Sequence, residues 1–307
     1  MILVTSYEHP DLDGVACSLG YAQLLTATRT PAQAVLFGNV DQETRFVMDR
    51  FNIPSIPDGA SIITPTSDVI LVDSSDAESI SPLIHREKVV EIIDHRKLTF
   101  LEMFPNAKAQ VELVGSCATL IAEKYHAQSI TPRGEATALL YSAIVSNTVN
   151  FRNTVSTPRD RAMAQWLAPM LNLPTPYVHD MFVAKSQIQN LEEVLANECA
   201  VYSFGNARSS IYQLELVNAE AFVNEHFDTI LSVMNRLKEE KKLTTTFLSI
   251  IDIEAFYNLF IVIDSETQRM LEQLLNLTFR NGQARREGII MRKELFPMVK
   301  ECLLRVQ

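Results

Sequence analysis

Short apolar runs rich in β-branched residues recur through the first part of the chain, and amphipathic stretches separate them. Residues 2–5 read as a strand and 15–27 as the helix after it. Residues 34–37 then read as a strand, 42–51 as a helix, and 69–72 and 89–93 as two more strands. Each strand run is too short for a helix and ends at a polar residue or glycine. Such alternation is the pattern of βαβ units, whose economical packing is a parallel sheet with helices on both faces.

From residue 117 the rhythm becomes helical, with apolar residues at helical spacing over 117–126, 134–147 and 158–171. Thr157-Pro158 predicts an N-cap followed by proline at the first helical position. Leu173-Pro-Thr-Pro is a turn, and one helix is expected over 178–197. The domain boundary is placed in that helix near residues 185–190, which divides the chain into domains of residues 1–187 and 188–307. Beyond it come strand-like runs at 200–204 and 210–216, a charged helix to about Lys241, and strands at 244–253 and 257–263. The expected fold is therefore α/β, with an N-terminal parallel-sheet domain and a smaller mixed α/β C-terminal domain.

Composition narrows the function classes. A chain of 307 residues with 47% hydrophobic content can bury a core in each of two domains. Its 27 basic against 37 acidic residues give a net charge of −10, which opposes extended binding to nucleic acid or an anionic membrane. Cys17, Cys117, Cys199 and Cys302 are far apart and show no CxxC spacing, so reduced thiols in the cytoplasm are expected. The first residues carry no basic lead or cleavage site, and no apolar run approaches the ~20 residues of a membrane span.

The strongest local chemistry is His9-Pro10-Asp11-Leu12-Asp13-Gly14, between a predicted strand and a predicted helix, where open α/β sheets bind their ligands. Imidazole and carboxylates at alternating positions suit Mn²⁺ or Mg²⁺. A plain turn with Asp13 as helix cap and His9 in solvent accounts for these residues equally well. Two later strands end in Asp73-Ser74-Ser75-Asp76 and Asp94-His95-Arg96. Acidic strand ends converging on one sheet edge repel one another unless a cation neutralises them, which tips the balance to a metal site.

In this order the motifs resemble those of DHH phosphoesterases. His9-x-Asp11-x-Asp13-Gly14 is similar to the first motif of that superfamily, and Ile93-Asp94-His95-Arg96 stands at the name-giving Asp-His-His. Gly115-Ser116 before a helix, the segment from Leu139 through Asn147 to Phe151, and Thr157-x-x-Asp160 resemble further elements of the family II inorganic pyrophosphatases. Gly288-Ile-Ile-Met-Arg292-Lys293 resembles their phosphate-gripping Ser-Arg-Lys motif. The Gly-Gly-Gly-His motif of the nano-RNase and cyclic-dinucleotide branch does not occur.

The resemblance implies a site for two divalent cations, Mn²⁺ first and Mg²⁺ or Co²⁺ as alternatives. Asp73 would bridge them, with Asp11 on one and Asp13 and His95 on the other. A bridging water would then be the nucleophile for in-line attack on phosphorus. Asp94 would orient His95 from behind, and Arg292 and Lys293 would neutralise phosphate oxygens. Three positions depart from the pyrophosphatase pattern: Tyr7 replaces a histidine ligand, a role His9 would take over; Asn147 replaces an aspartate; and Arg96 replaces the second histidine. A lysine before the second domain's first strand is replaced near Ala200. Asn147 can offer a metal only a neutral oxygen, whereas Arg96, always protonated, suits a phosphate. The Asp-His-Arg form resembles the exopolyphosphatase-related Prune proteins.

The resemblance thus implies a metal-dependent hydrolase of pyrophosphate, short polyphosphate or a similar small phosphate compound. Its catalytic groups would be Asp73, Asp94, His95 and Arg96. Two alternatives stay open: a phosphodiesterase on cyclic or very short nucleotides, and a degenerate member that binds a phosphate ligand or a partner protein with little turnover. A monomer and a homodimer are both compatible with the sequence.

Overall fold

The computed structural model describes residues 1–95, 101–204 and 207–305. They form two compact units, Met1–Ala184 and Lys185–Gln307. The first unit runs β1 (Ile2–Thr5), α1 (Leu12–Ala27), β2 (Ala32–Ala34), α2 (Gln42–Arg50), β3 (Val69–Val72), β4 (Val89–Asp94), β5 (Lys108–Val111), α3 (Cys117–Ala127), α4 (Gly134–Asn147), α5 (Pro158–Leu167) and α6 (Tyr177–Lys185). Its five strands are all parallel, in the order β2-β1-β3-β4-β5.

Burial follows the apolar pattern. Central β3 is buried at every position, whereas β5 at the edge exposes Lys108 and Ala109. Leu3, Leu71, Val89 and Ile92 share one core with Ala77, Ile80, Ile84 and Phe104 of the connecting segments. Helix α1 packs against the sheet and also against α3 and α4, so most of its residues are buried.

The second unit runs α7 (Leu191–Glu198), β6 (Val201–Phe204), β7 (Ala207–Leu216), α8 (Ala219–Glu240), β8 (Thr245–Asp252), β9 (Tyr257–Val262), α9 (Ser265–Leu275), β10 (Gln283–Glu287) and α10 (Arg292–Arg305). Its sheet has the order β10-β9-β8-β7-β6, with β7 and β8 parallel and the other pairs antiparallel. Alternation along its strands builds two cores. Leu248, Ile250, Leu259 and Ile261 join Val233, Met234 and Leu237 of α8, while Phe247, Phe260 and Val262 join Leu271 of α9 and Leu295 of α10. Among the described residues, no helix is long and apolar enough to cross a membrane.

The structure departs from the sequence expectation at several elements, and α9, β10 and α10 lie where the sequence predicts none. The strand expected over 34–37 ends at Ala34, after which Leu36 leaves the sheet and pairs with Asp58. Its Val-Leu-Phe run is apolar because Val35, Leu36 and Phe37 are all buried, and burial alone does not require a sheet partner. The helix expected over 178–197 is two helices. Asn190 interrupts it by accepting the Glu193 N–H at 3.2 Å and so caps α7. Strand β5 carries no apolar alternation and gave no strand signal.

Candidate metal centre

The strand order reverses at β1 and β3, which are neighbours, and open α/β sheets bind ligands beyond the carboxyl ends of strands at such a point. Asp13 follows β1, Asp73 follows β3 and His95 follows β4. One ligand atom from each lies within 4.8 Å of the others, and this trio can hold a metal ion. His95 Nε2 stands 3.3 Å from Asp73 Oδ1 and 4.0 Å from Asp13 Oδ2. Asp13 and Asp73 are buried, whereas the His95 side chain is 17% exposed and leaves the cluster a path to solvent.

Each member is positioned from outside the cluster. Asp73 takes the left-handed conformation at φ 53, and its N–H donates to Ile93 O at 2.8 Å, which ends β3 and pins the turn to β4. His95 is oriented by the carbonyl of Val114, 2.9 Å from Nδ1. A proton on Nδ1 donates there, which turns Nε2 toward Asp73. Asp13, in the first turn of α1, extends its carboxylate to the start of α3. It accepts the Cys117 and Ala118 N–H groups at 2.8 Å and the Ser116 hydroxyl at 2.9 Å. A helix N-terminus favours such a charge. The Asn147 amide Nδ2 donates to Asp13 Oδ2 at 2.6 Å.

Crowding of like charge shifts the titration of the trio. Burial, then the Asp73 carboxylate, push Asp13 up to about 7, against lowering by His95 and the Ala118 N–H. Burial pulls His95 down, but the hydrogen bond and charge of Asp73, followed by the charge of Asp13, outweigh it and raise His95 to about 9. Both shifts favour added positive charge at this point, which a bound divalent cation would supply.

The other expected residues stand as follows. Asp11 caps α1, with Oδ1 accepting the Asp13 and Gly14 N–H groups at 2.9 and 3.1 Å, so the cap falls two residues before Asp13. The Asp11 N–H donates to the Tyr7 hydroxyl at 3.2 Å. Exposed His9, at φ 55, turns its Nδ1 to the Asn39 N–H at 3.2 Å. Gly38 admits that ring, since a Cβ there would come within 2.6 Å of it. The Asp94 carboxylate accepts the His95 backbone N–H at 2.7 Å and the Ser75 hydroxyl; it does not receive the His95 ring Nδ1, which faces Val114. Arg96 lies outside the described residues.

In the second unit, Arg292 and Lys293 open α10. Arg292 Nη1 donates to Glu198 Oε2 at 2.9 Å. Arg285 is engaged elsewhere, by Glu220 and Glu287, with its guanidinium 3.8 Å from the Tyr257 ring centroid.

Sequence reading missed the carbonyl of Val114 and the α3 amide groups as organisers of the site. Backbone atoms leave no residue-type signature, although Gly115-Ser116 before a helix marked the place. Gly115 is required there because a Cβ would come within 2.6 Å of Thr148 and 2.9 Å of Asp160.

Residues 1–144 match the model of the DHH family, N-terminal domain. The chain is 26% identical over 304 residues to a Bacillus mycoides protein named "probable manganese-dependent inorganic pyrophosphatase", with 98% of each covered. A Bacillus cereus protein of the same name is 26% identical over 305 residues, again with 98% of each covered. Among solved structures, a Methanococcus jannaschii protein designated a family II inorganic pyrophosphatase superposes with a TM-score of 0.76. It is 24% identical, with 98% of this chain and 99% of that one covered.

Proposed function

We propose that the protein, whose residues 1–144 match the DHH-family model, is a manganese-dependent phosphohydrolase that cleaves the phosphoanhydride bond of pyrophosphate or a similarly small phosphate compound. The observation that carries this is the convergence of Asp13, Asp73 and His95 on one point at the switch of the parallel sheet. The names of the full-length relatives, which share the chain from end to end, support the anhydride over a diester.

Two carboxylates and one imidazole form a donor set suited to Mn²⁺, and Co²⁺ or Mg²⁺ can use the same donors. Bound there, such an ion would polarise a phosphoryl oxygen and lower the pKa of water. The chain's own part is to hold the donors still. The Val114 carbonyl fixes the His95 tautomer, the α3 N-terminus and Asn147 fix Asp13, and the left-handed turn fixes Asp73. His9, Asp11 and Asn147 belong to the surroundings of the ion in this reading, with Asp11 and Asn147 acting through hydrogen bonds to Asp13. Arg292 and Lys293 of the second unit bind phosphate oxygens by charge, and Arg96 does the same. Four free thiols, three of them buried, suit a reducing compartment such as the cytoplasm.

The test is phosphate release from pyrophosphate, tripolyphosphate and a cyclic dinucleotide, with and without Mn²⁺. Mn²⁺-dependent release from the anhydrides, lost in Asp73→Asn, is the expected result. Equal turnover in the presence of a chelator, faster cleavage of the diester, or a fully active Asp73→Asn would overturn the reading.

A further inference from the structure

Arg292 is held by a carboxylate of its own unit. Besides its 2.9 Å bond to Glu198 Oε2, its Nη1 donates to the Glu198 carbonyl at 3.3 Å, at the last residue of α7. Its backbone N–H donates to Gln213 Oε1 at 2.5 Å, and the Gln213 amide donates to Glu215 Oε1 at 3.0 Å. The other oxygen of Glu215 meets Lys185 Nζ at 3.0 Å. Two glutamates therefore hold Lys185 and Arg292, and the charges of Glu294 and Glu215 reach Lys293.

Glu198 is poorly placed for a permanent partner. Its burial raises it above the usual carboxylate range even though Arg292 lowers it, and Glu215 adds repulsion. Only one guanidinium nitrogen reaches its side chain, and 35% of that side chain is exposed, so water can receive it if it is displaced. A partly exposed, single-contact ion pair is worth about 0–1 kcal/mol. A phosphate that accepts two parallel N–H bonds offers Arg292 more.

We propose, resting on the reading of Arg292 as a phosphate-binding group, that Glu198 is a displaceable internal competitor. It holds the guanidinium in place when no ligand is bound, and a phosphate group must exchange with it in order to bind. Glu198 thereby sets the affinity of the second unit for phosphate compounds through Arg292 and touches no reacting atom.

The experiment is calorimetric titration of the full chain with imidodiphosphate in Mn²⁺ buffer, a ligand whose P–N–P bridge resists hydrolysis. Glu198→Gln keeps the size and polarity of the side chain and removes its charge. It should tighten binding about fivefold, the full value of one such ion pair. In an Arg292→Ala background the same change should do nothing, a result that a general structural role for Glu198 would not produce. If Arg292→Ala loses affinity while Glu198→Gln binds as the parent does or more weakly, the competitor is overturned and the role of Arg292 stands. If Arg292→Ala binds as tightly as the parent, the reading beneath the proposal fails instead.

Discussion

Asp73 sits in the left-handed region, a conformation that costs a non-glycine residue on the order of 1 kcal/mol and that aspartate tolerates better than most. The turn keeps it because its N–H is fixed to Ile93, and from that position its carboxylate meets His95. Asn147 shows how one atom changes the electrostatics. As an amide it donates to Asp13, whereas an aspartate there would face Asp13 as a like charge. Asn147→Asp should therefore destabilise the metal-free protein by about 1–3 kcal/mol, and added Mn²⁺ should restore the loss. Urea unfolding with and without the ion measures both; a variant as stable as the parent in chelator would contradict the role given to the amide.

Among the elements, α5 ties the later helices to the site. Thr157 and Asp160 form a capping box, and buried Asp160 also accepts the Gly115 N–H at 3.0 Å and the Thr119 hydroxyl at 2.5 Å. This carboxylate secures the residues just before α3, the helix whose N-terminus holds Asp13. Asp160→Ala would leave several buried donors without an acceptor, at a cost of about 1–3 kcal/mol each. It should lower the unfolding midpoint and also weaken Mn²⁺ binding. Thr157→Ala removes only the cap hydroxyl, so it should cost about 1 kcal/mol and leave metal affinity unchanged. Paired urea and metal titrations separate the two, and equal effects from both variants would refute the link between α5 and the metal centre.

For the molecule as a whole, metal, proton and stability are linked. His95 titrates near 9, above its ordinary 6.5, so its stabilising charge is complete below about 6.5 and is lost as the pH rises through 9. Asp13 is raised to about 7 by burial and Asp73, so its ionisation costs stability as the pH rises from 4 towards 7. Metal-free protein should therefore weaken steadily toward alkaline pH, and Mn²⁺-loaded protein should weaken less because the cation replaces the proton. From about pH 7 towards 9, Mn²⁺ affinity should rise roughly tenfold per unit as one proton is released. Calorimetry in buffers of different ionisation enthalpy counts that proton; a pH-independent affinity would exclude His95 as a ligand. The candidate donors Asp13, Asp73 and His95 lie in Met1–Ala184, so saturating Mn²⁺ at about 100 times its dissociation constant should stabilise that unit by about 2.7 kcal/mol.

Apart from β5, the order of strands and helices up to β9 is written into the chain, because short continuous apolar runs and helical stripes report burial directly. Helix α4 and strands β1 and β3 lie where that pattern puts them. The strand-end carboxylates were legible for the same reason, since charged residues directly after buried runs have few uses. Which of those residues share a point was decided only in three dimensions. Asp11 and Asp13 are two positions apart, yet one caps α1 and the other reaches across to α3. The apolar run at 34–37 was misread as strand because burial looks alike whether a sheet or a loop provides it. Val114, which orients His95, acts through a backbone oxygen that every residue possesses. Sequence records what each side chain is and how deeply it must be buried; hydrogen-bond partners distant in the chain are chosen by the turns and packing that bring them within 3 Å.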